Sequence, residues 1–368
     1  MKIILYCSSI INNDAIGNDI LIQYQYLQNF GFETVLFAYG SDKNTQKLLI
    51  SEKEFIASIQ DKSNILLIHF GAFWSELIKH INLAKCTIIF KYHNITPSHF
   101  YEKYSIDLQK HLDNSRHQLL EILHLSRIDY YWADSHYNAE ELIGNNVPES
   151  LITIIPPFHK VLDFTTTTTN EALYNQLSDG SFNLLFVGRV APNKGHIHLI
   201  ETIKSYKRIY GNNVHLHIVG SIACELQPYY KKLKQLIKQY QLNDMITFHE
   251  HVSFPELNTF YKCTDIFLLM SEHEGFCVPI LEAQYHNIPI LALDRAAIKE
   301  TIGPAQLVYE KVDYDLFAAA IYTLKNNQEI RFYLTREGYS NFLKYESSTI
   351  AKHMLSTIQK IIDEKIKQ

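Results

Sequence analysis

The chain has 368 residues, 46% of them hydrophobic and 20% charged, and a net charge of −5. That length suits two domains of ordinary size, and that composition a soluble globular protein. The acidic balance excludes bulk electrostatic attraction to nucleic acid, and no apolar run reaches the roughly 18–20 residues that span a bilayer.

The N-terminus runs directly into a strand pattern, "KIILYCSS" (2–9), with no charged leader and no small-residue cleavage site. A helix is expected over "DILIQYQYLQNFG" (19–31), then strands at "ETVLFAYG" (33–40), "NILLIHFG" (64–71), "CTIIFKYHN" (86–94), "YYWADS" (130–135) and "LITIIPPF" (151–158). Continuous apolar runs separated by helical segments indicate parallel strands buried on both faces. Residues 161–180 hold five consecutive threonines and no sustained apolar run, and read as a linker. The alternation restarts with "FNLLFVGRV" (182–190), "VHLHIVGS" (214–221), "MITFHEHV" (245–252), "DIFLLMS" (265–271), "IPILAL" (288–293) and "AQLVYE" (305–310). A terminal helix closes the chain. The pattern predicts an α/β protein of two doubly wound Rossmann-like domains facing a cleft. The first domain is 1–160 and the second 181–346, with 347–368 crossing back to the first.

Five scattered cysteines with no CxxC pair read as reduced thiols in a cytoplasmic protein. Doubly wound sheets bind ligands beyond the carboxyl ends of their strands, so the chemistry is sought there. After the first strand only Gly17 stands where a dinucleotide fingerprint needs three glycines, which disfavours a Rossmann dehydrogenase. Gly17 precedes a helix expected to begin near Asn18 or Asp19, where exposed amides suit a phosphate or a sugar hydroxyl. In "KYHNITP" (91–97), His93 falls at a strand end with hydrogen-bonding capacity for a sugar hydroxyl. His69, in the analogous place one strand earlier, reads as packing. In "VGRVAPNKG" (187–195), Arg189 and Lys194 offer two cations beside a helix start, a pairing that suits a diphosphate or, equally, surface ion pairs.

"EGFCVPILEA" (274–283) follows a buried strand, and Pro279 fits the first position of the next helix. The amides of Phe276, Cys277 and Val278 then stand at a helix N-terminus, a setting for an anion. Glu274 precedes that helix, and Glu282 lies inside it, where a carboxylate suits a ribose diol. The Asp-x-Asp at 313–315 reads as a helix start rather than a metal site. No other cluster has metal-ligand spacing. The basic amphipathic stretch 229–242 suits a solvated helix or, less well, a membrane surface. The stretch 108–123 is the better place for acceptor contact.

Taken together, "FVGRVAPNKG", the run from "VSFPELNTFYKC" through "EGFCVPILEA" to "NIPILAL", and "KYHNITP" with "ADSHYNAEEL" resemble family 4 of the retaining glycosyltransferases of GT-B fold. The resemblance covers essentially the whole chain. It implies transfer of a hexosyl group from a nucleoside-diphosphate sugar to a glycan or lipid-linked acceptor in polysaccharide or cell-envelope glycan synthesis. Neither cofactor nor metal is then needed, and peripheral contact with the inner face of a membrane is allowed. Arg189 and Lys194 would stabilise the leaving diphosphate. Glu274 with the amides of Phe276, Cys277 and Val278 would hold the donor sugar and β-phosphate. Glu282 would bind the ribose, Val252 would lie against the base, and His93 would contact the donor sugar. The family commonly has glycine where Cys277 and Asn287 stand, and a glycine pair where only Gly17 remains. Other readings are a GT-B nucleotide-sugar epimerase and a sugar-nucleotide-binding protein without catalysis.

Overall fold

The computed structural model describes residues 1–12 and 14–367, without the side chains of 366 and 367. It divides into two compact units. Unit 1 comprises Met1–Pro97, Lys110–His159 and Tyr345–Gln368, and unit 2 comprises Ser98–Gln109 and Lys160–Lys344.

Unit 1 is built on β1 (Lys2–Ile10), β2 (Glu33–Ser41), β3 (Ile65–Phe70), β4 (Thr87–Tyr92), β5 (Tyr130–Ala133) and β6 (Ile152–Ile154). Their order is β2-β1-β3-β4-β5-β6, and every pairing is parallel. Successive strand residues point to opposite faces, which splits the core in two. Ile4, Tyr6, Leu66, Ile68, Ile88 and Phe90 fill one layer. Ile3, Leu5, Ile65, Leu67 and Ile89 fill the other, where Ile350, Met354, Ile358 and Ile361 of the terminal helix Ser347–Lys367 join them. Those four fall at helical spacing on one stripe, each contributing roughly 1.5–3 kcal/mol of burial.

Unit 2 repeats the plan with β7 (Phe182–Val187), β8 (Val214–Val219), β9 (Ile246–His249), β10 (Ile266–Leu269), β11 (Ile290–Leu293) and β12 (Leu307–Tyr309). The order is β12-β11-β10-β7-β8-β9, again parallel throughout. Each sheet therefore reverses direction of growth once, between β1 and β3 in unit 1 and between β7 and β10 in unit 2. Such switch points open crevices at the carboxyl ends of the strands.

Three local readings change. The first helix is Ala15–Asn29, starting before Asn18, because Asp14 caps it by accepting from the Gly17 amide. The helix after β10 opens at Val278, so Pro279 holds its second position rather than its first. Within 161–180 the chain forms a 3₁₀ turn, Val161–Thr165, and a helix, Glu171–Leu177, capped by Asn170. Among the described residues, no helix is long and apolar enough to cross a membrane.

Candidate functional site

In unit 2 the switch point brings together the loops after β7 and β10. The first loop carries Arg189, exposed, and Lys194. The second carries Glu274, with its side chain 8% exposed. Lys194 Nζ lies 2.8 Å from Glu274 Oε1 and 2.7 Å from Oε2, an ion pair spanning both carboxylate oxygens. The loops are tied by backbone as well. Glu272 N donates to Asn193 O at 2.8 Å, and Asn193 Nδ2 donates to His273 O at 3.2 Å. Tyr101 donates its phenol hydroxyl to Asn193 Oδ1 at 3.1 Å. Gly195 sits at φ +69, and a Cβ there would meet the Met270 carbonyl oxygen at 1.8 Å. Only glycine fits so close an approach. Arg189 makes no hydrogen bond or ion pair among the described residues, so of the two expected cations one is engaged and one is open.

Cys277 caps the helix Val278–Tyr285 at φ +78, a left-handed conformation costing a side-chain-bearing residue about 1 kcal/mol. That explains why glycine is the expected residue there. Phe276 and Cys277 are buried, and Val278 is half-buried. Burial pushes the Cys277 thiol well above its ordinary range, so it stands as a neutral thiol. Asn287, just past the helix, takes φ +57, the left-handed turn that asparagine tolerates. Glu282 lies one turn into the helix, partly buried, and accepts from the Tyr261 hydroxyl at 2.5 Å. Burial raises its carboxyl to about 7 even though the Tyr261 bond lowers it. Val252 is half-buried before Ser253, which caps the helix Phe254–Lys262 in a capping box with Glu256. Asp313 likewise caps the helix Tyr314–Asn326, and Asp315 pairs with Arg208 at 2.6 Å.

In unit 1, His93 follows β4. Its Nδ1 lies 2.8 Å from Asp134 Oδ2, and its Nε2 lies 2.9 Å from His69 Nδ1. Asn94, at φ +77, turns the chain away after it. Gly17 lies inside the first turn of its helix, its amide on Asp14 Oδ2 at 3.4 Å, and a Cβ there would meet the Ile11 carbonyl oxygen at 1.9 Å. Asp19, two residues on, is fully buried and pairs with Lys91 Nζ at 2.7 Å, while its Oδ1 accepts from Phe158 N at 2.7 Å. Burial alone would raise the Asp19 carboxyl, but Lys91 and His69 hold it far below the usual range.

His69 is thus part of a polar cluster as well as of the core, and Asp19, Lys91 and Asp134 join it. One signal for them was present in the sequence. Lys91 and Asp134 are charged residues inside apolar strands, and buried charges require partners. Asp19, His69 and His93 bring possible ligand atoms within 4.8 Å of one another. Their arrangement is that of hydrogen bonds instead. The two imidazole nitrogens face each other 2.9 Å apart, and the Asp19 oxygen receives the Lys91 ammonium.

Residues 173–341 match the family model of the Glycosyl transferases group 1. The chain is 30% identical over 168 residues to the capsular polysaccharide biosynthesis glycosyltransferase CapM of Staphylococcus aureus, covering 44% of this chain and 41% of that one. It is 25% identical over 189 residues to the O-antigen chain mannosyltransferase RfbU of Salmonella typhimurium, covering 50% and 51%. The chain thus spans about half the length of the curated relatives it matches, or less. A glycosyltransferase structure from Rickettsia africae superposes with a TM-score of 0.76 at 15% identity, covering 98% of each chain. Anabaena HepE in complex with UDP and glucose superposes at 0.72 with 14% identity, covering 97% of this chain and 99% of that one. At such identities the likeness establishes the fold. The protein has the GT-B fold, and its residues 173–341 match the glycosyl transferases of group 1.

Proposed function

We propose that this chain is a retaining glycosyltransferase that moves a hexosyl group from a nucleoside-diphosphate sugar to a glycan or lipid-linked acceptor, in polysaccharide or cell-envelope glycan synthesis. The observation that carries this reading is the meeting of Lys194 and Glu274 at the unit 2 switch point, with Arg189 open beside it. The names of CapM and RfbU support the pathway class, and the HepE complex supports a nucleotide-sugar donor.

In this reading the diphosphate engages Arg189 and draws Lys194 partly from Glu274, so that fixed cations take up the charge of the leaving group. Glu274 and the amides of Phe276, Cys277 and Val278 hold the donor sugar and β-phosphate. Glu282 receives the ribose diol, and Val252 lies against the base. Gly17 and His93 of unit 1 contribute to phosphate or sugar contact. The acceptor hydroxyl attacks the anomeric carbon on the face the diphosphate leaves, and a diphosphate oxygen takes its proton. No metal is required in this scheme. It operates in the cytoplasm, with lipid-linked acceptors presented at the inner membrane face.

The test begins with a thermal-shift screen of UDP, GDP, ADP and their sugars, since a ligand of the folded state raises the melting temperature. Transfer from the best donor is then followed with and without excess EDTA. Lys194→Ala is expected to lose at least about a hundredfold in turnover while remaining folded. Near-normal turnover of that variant at saturating donor refutes the site. Loss of wild-type activity in EDTA with rescue by manganese refutes the metal-free scheme. Interconversion of the donor without transfer, or binding without conversion, refutes the transferase reading.

A further inference from the structure

Five titratable side chains of unit 1 close into a ring. Lys91 Nζ lies 2.7 Å from Asp19 Oδ2 and 3.4 Å from Asp134 Oδ1. Asp134 Oδ2 lies 2.8 Å from His93 Nδ1, and His93 Nε2 lies 2.9 Å from His69 Nδ1. His69 Nδ1 lies 3.5 Å from Asp19 Oδ2, which returns to the start. No side chain in the ring is more than 6% exposed. Lys91 comes from β4, Asp134 directly follows β5, and Asp19 comes from the helix between β1 and β2.

The geometry fixes where the protons lie. Lys91 Nζ lies beside the other oxygen of Asp134, and Asp134 Oδ2 accepts from His93. His93 Nδ1 therefore carries the proton between them. The two imidazole planes differ by 14° and their centroids are 5.2 Å apart. That separation equals the 2.9 Å nitrogen–nitrogen distance plus two ring radii of about 1.15 Å, so the bond runs straight along both nitrogen axes. One proton occupies it. His69 is neutral, because burial pushes it down to about 4. Its Nε2 has no partner among the described residues. A proton there would be an orphaned buried N–H, a rare and costly arrangement, so His69 carries its proton on Nδ1. His69 thus donates to His93 Nε2, and His93 donates to Asp134.

We infer that Asp134 and His69 are positioning residues for His93, holding it as the Nδ1–H tautomer with Nε2 kept as an acceptor. This rests on the reading of His93 as a donor-sugar contact. Both ring nitrogens of His93 are engaged, so Asp134 and His69 set where the ring stands beside the donor. Lys91 and Asp19 complete the ring by fixing the charge on Asp134 and the orientation of His69.

Two measurements test this. The first is nitrogen-15 NMR of histidine-labelled protein, which reads the tautomers without any turnover. The expected result is protonation of both His69 and His93 on Nδ1, each with slow exchange. Protonation of His93 on Nε2 overturns the inference. The second is steady-state kinetics with the donor found by the nucleotide screen. Asp134→Asn is expected to lower kcat by about tenfold to a hundredfold, with the donor KM and UDP, GDP or ADP binding preserved. His69→Asn, whose amide can replace the Nδ1–H, is expected to retain at least about tenfold more activity than His69→Leu. Equal kcat for Asp134→Asn and the unaltered chain, or equal losses in the two His69 variants, overturns it. If the unaltered chain transfers no sugar, the proposed function fails, and the NMR result alone decides the tautomer.

Discussion

Replacing Gly195 with alanine puts a methyl group 1.8 Å from the Met270 carbonyl oxygen and 2.6 Å from its carbon. Both atoms are backbone at the end of β10, so a side-chain rotation cannot relieve the clash. The new Cβ also sits at φ +69, where a side-chain-bearing residue costs about 1 kcal/mol. Overpacking adds about 1–3 kcal/mol. Separating the loops also strains the Glu272–Asn193 backbone bond of 2.8 Å, worth about 1 kcal/mol. The sum is about 3–4 kcal/mol after partial relaxation, or a fall of about 6–16 °C in the melting temperature of a domain this size. Gly180→Ala is the control, because Gly180 has φ +92 but nothing within 4 Å of its Cβ position. It should fall by only about 2–4 °C. Calorimetry of the three proteins decides the matter. Equal, mild shifts for both variants would refute the close approach between the β7 and β10 loops. Because Lys194 precedes Gly195, the damaged variant should also lose its nucleotide-dependent thermal shift.

Glu282 and the cysteines offer independent checks. Between its ordinary 4.5 and the value of about 7 set by burial, Glu282 holds a proton when folded that the unfolded chain has released. Stability therefore falls as pH rises through that window. In urea unfolding across pH, Glu282→Gln should flatten this segment, and Tyr261→Phe, which removes a bond that lowers the carboxyl, should extend it upward. An unchanged slope in Glu282→Gln contradicts the burial. Among the five thiols, Cys224 is exposed, while Cys7 and Cys86 are buried and pushed up to about 11 and Cys277 is buried and raised well above its ordinary range. Brief alkylation near pH 8, mapped by mass spectrometry, should label Cys224 first; equally fast labelling of Cys277 would mean that its loop is open.

All twelve strands are legible as apolar runs because parallel strands are covered on both faces and need no polar alternation. "ILLIHF", buried at every position, is the clearest case, yet the same run hides His69, whose polar role depends on a partner 24 residues away. The boundary of the first helix is misplaced in a sequence reading, since Asp14, Asn18 and Asp19 are all capable caps. Asp14 prevails because Asp19 is taken up by Lys91, 72 residues on. Cys277 shows the opposite case. Its neighbours suggest a turn, but only the backbone dihedral of +78° says why glycine is the easier residue.

By itself the sequence determined the period of each element and the placing of cations and carboxylates just after strands. Those features depend on residues within a turn or two of one another. The order of the strands is another matter. Nothing in the period of β7 or β10 says that they lie side by side, and yet that adjacency sets Lys194 against Glu274 across 80 residues. Likewise β3, β4 and β5 stand next to one another only in the folded sheet, and their adjacency brings a lysine, two aspartates and two histidines, each costly when buried alone, into one paired ring. Tertiary structure decided these because a buried charge is stable only beside a partner, and the partner is chosen by topology rather than by proximity along the chain.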